Sequence, residues 1–229
     1  MQLSPETTWI LVVLMSAAAI LVLARMYRRN RRTLATLRGA IFAPAYDLFD
    51  TYRVTQAGIA FPELTGRYRG RDFHIDAVID TLTFRKLPVL WLRVSLLAPL
   101  PGTATLDILV RSQNVEFYSP SASLPHRLEP RPGWPADAMI RADEAGTLPD
   151  LAVLDRHIDI FREPQTKELL ITAKGVRIVR LLDQARRAEY LVLRQAEFES
   201  PQVSPEALRA MMDRTLAIHA DLTSAGAKP

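Results

Sequence analysis

The most constraining feature of this sequence is an uninterrupted apolar run near its N-terminus. None of the eighteen residues from Thr7 to Ala24 carries a charge, and between Trp9 and Ala24 only Ser16 is polar. A helix of that length spans about 27 Å, which covers most of a hydrocarbon core of about 30 Å. A terminal helix that is apolar on all sides has nothing in a small domain to cover it. We therefore predict a single transmembrane helix over residues 7–27.

A cluster of arginines follows the apolar run directly. Because basic residues next to a membrane span stay on the cytoplasmic side, residues 1–6 are predicted to form an extracytoplasmic tail and the rest of the chain to lie in the cytoplasm, at the inner membrane. At headgroup height these side chains would also contact anionic lipid, at about 1 kcal/mol each. The residues expected to set topology and to meet anionic lipid are Arg25, Arg28, Arg29, Arg31 and Arg32.

A cleaved signal peptide is the alternative interpretation of the apolar run. Its small residues at Ala17–Ala19 suit a cleavage site. However, no Lys or Arg precedes the run, hydrophobic residues continue from Ile20 to Leu23, and the arginines then act as a stop-transfer signal. These features favour an uncleaved signal anchor.

The basic character of the chain belongs to this N-terminal region. The net charge is +4 and the pI about 9.6, but Arg38 and the five topology arginines account for six of the 29 basic residues. Residues 39–229 keep 23 basic residues against 24 of the 25 acidic ones. A nearly neutral domain does not indicate a nucleic-acid partner. The absence of cysteine from the sequence excludes thiol catalysis and thiolate metal sites.

The pattern after the span changes from helical to extended. Residues 28–58 are predicted to be a basic juxtamembrane linker, with a helix broken at Pro44 and a second short helix over Ala45–Ala57. The cytoplasmic domain is predicted to begin at residue 59, and from Phe61 the period becomes two, with strands over 72–80, 90–96 and 105–111 joined as an antiparallel meander. The proline-rich stretch 119–137 is expected to be irregular. The sequence leaves open whether residues 59–229 form one lobe or two lobes, 59–118 and 136–229, on either side of it.

The C-terminal half is predicted to combine short strands with helices. We expect a short strand over Met139–Ala142, a helix from about Pro149 to Phe161, a hairpin whose turn is Ala173–Gly175, and a strand around 190–198. A last helix should begin after the N-cap Ser204. The predicted fold class is α+β: one transmembrane helix, then a cytoplasmic domain with a mainly antiparallel sheet and a C-terminal helix.

Asp72, His74 and Asp76 form the sharpest candidate for chemistry. Period two places them on one strand face, with about 6–7 Å between successive Cα atoms, so two carboxylates and an imidazole are available to one divalent metal ion. The solvated face of a half-buried strand has the same composition, and this interpretation is favoured because metal sites usually recruit ligands from separate elements. The sequence thus predicts no metal site or cofactor, and these three residues are its weak candidates.

Arg67, Arg69 and Arg71 form a second candidate, a patch for an anion or a protein partner. The alternation places them on one strand face with Tyr68 on the other. A charged edge that prevents aggregation between sheets is the favoured alternative.

No nucleophile elbow, Ser-Lys motif or phosphate-binding glycine loop occurs. We therefore expect no catalytic residues and a membrane-anchored interaction or accessory domain that binds a membrane-bound partner or a second copy of itself. A membrane-tethered metal-dependent hydrolase and a domain that responds to anionic lipid are the alternatives.

Overall fold

In the computed structural model, an N-terminal helix leads into a single large sheet that carries a second helix on one face. The structure describes residues 5–80, 87–100, 104–112, 116–185, 198 and 201–226. Helix α1 is Pro5–Gly39 and helix α2 is Pro205–Gly226. The strands are β1 Thr51–Thr55, β2 Glu63–Tyr68, β3 Arg71–Asp80, β4 Val89–Leu97, β5 Leu106–Leu109, β6 His126–Leu128, β7 Met139–Ala142, β8 Thr166–Thr172 and β9 Gly175–Gln184. Among the described residues the architecture is α+β, as the sequence predicts.

The nine strands pair in the order β1-β2-β3-β4-β9-β8-β5-β7-β6, and every pair is antiparallel. The sequence predicts that β5 continues the meander of β3 and β4, but β5 does not pair with β4. The β8–β9 hairpin lies between β4 and β5. Such a non-local arrangement leaves no trace in the local period of the strands. It brings the residues of β5 beside β8 at the centre of the sheet.

Two tight turns hold this sheet in register. Arg69 and Gly70 both have positive φ, at 49° and 73°, which suits the two-residue hairpin between β2 and β3. At the β8–β9 hairpin, Gly175 has a φ of 143°, and a Cβ there would lie 2.0 Å from the carbonyl oxygen of Leu96. Only glycine fits this close approach. The predicted hairpin around Ala173–Gly175 is confirmed.

One face of the sheet carries the main hydrophobic core. Alternate residues of β2, β3, β4, β9, β8, β5 and β7 point to this face and pack against α2 and against the segment that follows α1. α2 begins as predicted, because Ser204 Oγ accepts a hydrogen bond from the backbone N–H of Ala207 at 3.2 Å. Its buried residues are Leu208, Met211, Met212, Thr215, Ile218, His219 and Leu222. β4 and β9, which come from opposite sides of the proline-rich stretch, pair directly along their length.

The predicted helix over Ala45–Ala57 is wrong. A 3₁₀ helix, Ala43–Leu48, with Pro44 in its first turn, is followed by edge strand β1. β1 has the sequence Thr-Tyr-Arg-Val-Thr, whose β-branched and aromatic residues favour a strand, and it pairs with β2. A helical spacing of apolar residues was therefore outweighed by strand propensity and by an available sheet edge.

Two other predictions need correction. The helix expected over 149–161 is a pair of 3₁₀ helices, Leu151–Leu154 and Ile158–Arg162, joined by a turn in which the His157 N–H donates to the Leu154 carbonyl at 2.8 Å. The stretch 119–137 contains a 3₁₀ turn, Ser121–Ser123, and strand β6, which closes one edge of the sheet. The short strand at Met139–Ala142 is confirmed as β7. The strand predicted around 190–198 lies outside the described residues, apart from residue 198.

Candidate functional site

The apolar half of α1 stands free of the domain. Its most apolar window has a mean hydropathy of 2.3 and is 0% buried, so by length and composition α1 can cross a membrane. It is the one such helix among the described residues. The topology arginines Arg25, Arg28, Arg29, Arg31 and Arg32 are exposed along the same helix, which continues without a break to Gly39.

The C-terminal end of α1 is fastened to the domain by polar contacts. Arg38 Nη1 donates to the carbonyl of Ile59 at 2.8 Å, and its guanidinium lies 5.0 Å from the centre of the Phe61 ring. Gln56 Nε2 donates to the carbonyl oxygens of Ala35 and Ala60, each at 2.9 Å. The helix therefore enters the domain in a fixed direction. Arg38 belongs to this junction and not to the exposed arginines before it.

Apolar packing completes the junction. The two residues after the α1 turn, Ile41 and Phe42, are fully buried in the main core. Phe49, at the end of the following 3₁₀ helix, packs its ring over Gly66 of β2. The first half of the chain thus carries an exposed apolar helix whose other end is an integral part of the sheet domain.

The three residues of the weak metal candidate have separate surroundings. Asp76 is buried and forms an ion pair with Arg93 of β4, whose Nε donates to Asp76 Oδ1 at 3.0 Å. His74 is half-buried opposite Ser95, and Asp72 is exposed opposite Arg67. Within the described ranges, no three His, Asp or Glu side chains are placed to hold a metal ion.

The structure divides the predicted arginine patch. β2 ends at Tyr68, Arg69 lies in the turn, and Arg71 begins β3 directly opposite Tyr68. Directly opposed residues of an antiparallel pair share a face, so Arg71 lies on the Tyr68 face and Arg67 on the other. Arg69 Nη1 pairs with Asp213 of α2 at 3.0 Å. The prediction of a single face for all three is wrong, because the turn falls between them.

The second face of the sheet holds a cluster of buried ionisable residues that the sequence analysis did not single out. Asp107 of β5 and Glu168 of β8 are both fully buried there, and they are diagonal neighbours because Glu168 is opposite Leu109. The Ser119 hydroxyl donates to Asp107 Oδ2 at 2.8 Å. Next to them, Lys167 Nζ pairs with Glu116 Oε1 at 2.9 Å, and both of these side chains are buried.

Burial and mutual repulsion shift the titration of this carboxyl pair. Loss of hydration raises the pKa of Glu168 to about 8, and the charge of Asp107 adds to this increase. Burial likewise raises the pKa of Asp107 to about 6, against the lowering effect of its hydrogen bond from Ser119. Two interacting acids titrate as a pair. At neutral pH the folded protein therefore keeps a proton on this pair that an unfolded chain would release.

A loop segment covers the carboxyl pair and supplies much of its surroundings. We call residues 116–124 the strap. Tyr118 of the strap packs on Trp91 and Val179 of the second face, and its hydroxyl pKa is raised by burial and by the surrounding charges of Glu116, Glu168, Asp80 and Asp107. At the far end of the strap, the carbonyl of Leu124 accepts from Arg141 Nη1 at 3.0 Å.

Hydrogen bonding under the strap is incomplete. With both carboxyls ionised, eight buried side-chain atoms in the described part of the chain have no hydrogen-bond partner, and only His157 Nδ1 lies away from the strap. Each such group costs about 1–3 kcal/mol relative to a hydrated state. The other seven atoms are Trp91 Nε1, Asp107 Oδ1, Tyr118 Oη, Ser121 Oγ, Arg141 Nε, Glu168 Oε1 and Glu168 Oε2. A proton shared between Glu168 and Asp107 forms a hydrogen bond between these two side chains.

The sequence gives only a faint signal for this cluster. Asp107 alternates with Leu106 and Ile108, which predicts a solvated strand face, and Glu168 precedes a short apolar run. In a sheet without a covering segment, Asp107 would lie on a solvated face. The strap makes the second face an interior, and a proline-rich segment does not reveal from its sequence where it will pack.

Comparison with known proteins gives little further guidance. No family model matches the chain, and no curated protein matches it closely enough to count as a relative. Among solved structures, the mycobacterial trehalose monomycolate transport factor A, TtfA, is 13% identical with a TM-score of 0.36, over 85% of this chain and 95% of that chain. A likeness at this level carries no argument, so the function of this chain rests on its own residues and geometry.

Proposed function

We propose that the chain is a single-pass inner-membrane protein whose cytoplasmic sheet domain is an accessory module for a membrane-bound partner. In this proposal residues 1–6 lie outside, 7–27 cross the bilayer, and the chain from residue 28 onward is cytoplasmic. The observation that carries it is α1, in which an exposed apolar segment and the entry into the domain core belong to one unbroken helix.

The continuity of α1 supports an anchor over a removable leader. Cleavage near Ala17–Ala19 would cut the helix in its middle and leave several apolar residues at the new N-terminus. An uncleaved helix places its exposed apolar surface in lipid, where such surface is stable. The arginines that follow favour a cytoplasmic location for the domain.

The short reach of the helix supports a partner at the membrane. From Arg28 to Gly39 α1 has twelve residues, about 18 Å of helix, and beyond Gly39 the chain is already in the core. With Arg38 and Gln56 fixing this end, the domain stays close to the bilayer. A domain held in this way meets membrane proteins far more often than soluble ones, because tethering raises their effective concentration.

The geometry lends no support to the two alternatives. A metal-dependent hydrolase would need ligands that converge, whereas Asp76 is committed to Arg93. A domain that reads anionic lipid through Arg67, Arg69 and Arg71 would need them on one surface, whereas Arg67 and Arg71 lie on opposite faces of the sheet.

Topology is tested with reporters fused after Pro229. We expect a fluorescent protein that folds only in the cytoplasm to be active there and alkaline phosphatase, which needs the periplasm, to be inactive. A variant with Arg25, Arg28, Arg29, Arg31 and Arg32 all changed to Glu should lose this preference. Active alkaline phosphatase on the unaltered chain, or release of a processed domain from the membrane, would overturn the proposal.

The accessory role is tested by replacing residues 7–27 with an unrelated apolar helix of equal length. The native chain and the chain with the replaced helix should both recover the same membrane protein when they are crosslinked in cells at native abundance and purified in mild detergent. A matched control carries the native helix and arginines without residues 41–229. If the control recovers that protein equally well, or neither form recovers any, an accessory role for the sheet domain is refuted.

A further inference from the structure

The strap meets the second sheet face mainly through groups whose protonation can change. Ser119 donates to the Asp107 carboxyl, and Glu116 is paired with Lys167. Its apolar contacts are few, with Tyr118 on Trp91 and Val179 as the buried set. The main core, on the opposite face, contains more than thirty buried residues and does not involve these strap contacts. Segments with few apolar contacts open at a lower free energy than the core does.

The charges beneath the strap do not balance when both members of the carboxyl pair are ionised. Arg177 lies diagonal to Glu168 on β9, but it donates to Ser95 Oγ at 3.0 Å and stands next to Arg93, which neutralises Asp76. Lys167 is matched by Glu116. The titratable and charged groups that face the pair from the surrounding elements are Asp76 and Asp80 of β3, Arg93 of β4, Arg177 of β9, Lys167 of β8, Arg141 of β7, and Glu116 and Tyr118 of the strap.

We propose that the strap is a proton-operated latch, held closed over the second face when Asp107 and Glu168 share a proton and released when that proton leaves. In the closed form one carboxylate accepts from Ser119 while the other carboxyl stays neutral. Loss of the shared proton leaves two adjacent buried carboxylates beside two guanidiniums, Arg177 and Arg141, which are hydrogen-bonded to Ser95 and to the Leu124 carbonyl. Opening of the strap hydrates both carboxylates. The device does not depend on the proposed function and holds for either topology.

The closed strap binds one more proton than the open strap, and this difference sets the pH response. A hydrated carboxyl has its ordinary pKa near 4, whereas burial raises the pKa of Glu168 to about 8. Between about pH 6, the raised pKa of Asp107, and about pH 8, each pH unit increases the open fraction about tenfold. Above pH 8 both forms have lost the proton and the increase stops. Opening should therefore increase about 100-fold from pH 6 to pH 8.

The absence of cysteine from the sequence allows a direct test on the full chain in detergent. A single cysteine replaces Val179, which is fully buried beneath Tyr118, and its rate of reaction with a maleimide is measured from pH 5 to pH 9. Lys174→Cys, in the exposed β8–β9 turn, corrects for the pH dependence of the thiol itself. Ala45→Cys, fully buried in the main core, reports global unfolding.

The corrected rate at position 179 should rise about 100-fold between pH 6 and pH 8 while position 45 remains protected. Adding Glu168→Gln, which cannot ionise, should reduce this rise to less than threefold. Adding Ser119→Ala should raise the rate at every pH, because it removes the bond to Asp107. A flat profile in the parent, an equal rise with Glu168→Gln, or a parallel rise at position 45 would overturn the latch. Asp107→Asn serves as the second carboxyl variant if Glu168→Gln does not fold.

Discussion

Replacement of Gly66 by alanine tests the packing that joins α1 to the sheet. A Cβ at position 66 would lie 2.6 Å from Cδ1 and 3.0 Å from Cγ of Phe49, whereas ordinary contact begins near 3.4 Å. The ring must therefore move by about 0.8 Å, although Phe49 is buried among core residues. Overpacking of this kind costs about 1–3 kcal/mol. For a chain of this length that corresponds to a decrease in Tm of roughly 3–9 °C.

The measurement is urea and thermal unfolding of the detergent-solubilised chain, followed by tryptophan fluorescence. Gly146→Ala is the matched control, because nothing lies within 4 Å of a Cβ at that position, and it should change stability by less than about 0.5 kcal/mol. Phe49→Leu frees space at the contact, so the double variant should cost at least about 1 kcal/mol less than the sum of the single ones. If Gly66→Ala is as stable as the parent, or if the losses of stability from Gly66→Ala and Phe49→Leu simply add in the double variant, the Phe49 ring does not pack on Gly66 as described.

Three further outcomes follow from the structure. Between pH 6 and pH 8 the folded protein holds one proton on the carboxyl pair that the unfolded chain has released, so its free energy of unfolding should fall by at most about 1.4 kcal/mol per pH unit, and Glu168→Gln should flatten this slope in pH-dependent urea titrations; a rise in stability would refute the raised pKa. Ser204→Ala should cost about 1 kcal/mol in urea titrations, because it removes the bond to the N–H of Ala207 at the start of α2, and no loss would contradict the N-cap. Phe42→Ala should cost about 3–5 kcal/mol by thermal unfolding, because its ring is fully buried where α1 enters the core, and a loss below 1 kcal/mol would show the junction to be loose.

Local signals in the sequence were sufficient for much of this fold. Alternation of buried and polar residues located β3 and β4, the glycine at position 175 marked the β8–β9 hairpin, and Ser204 marked the start of α2. Each of these is decided by neighbours a few residues away, through strand pleating, a positive φ or a capping bond. The apolar run that forms the exposed half of α1 is likewise recognised from neighbouring residues alone.

The features that were missed depend on distant parts of the chain. The segment 51–55 becomes a strand because β2 offers an edge, and β5 lies beside β8 because a later hairpin occupies the place next to β4. The carboxyl pair was invisible for a related reason. Asp107 has the sequence environment of a solvated residue, and only the packing of the strap, which is remote from Glu168 in sequence, removes it from water. The candidate functional residues were thus harder to predict than the fold.

In the proposed membrane-anchored arrangement, the unbroken helix α1 fixes the rotation of the sheet domain relative to the bilayer. A helix advances by about 100° and 1.5 Å for each residue, so one residue inserted between Arg28 and Ala35 would turn the domain by about 100° about the helix axis while lifting it only slightly. Seven inserted residues would nearly restore the facing and lift the domain by about 10 Å. If the proposal is right, the rotation of the membrane segment determines which side of the sheet a neighbouring membrane protein meets.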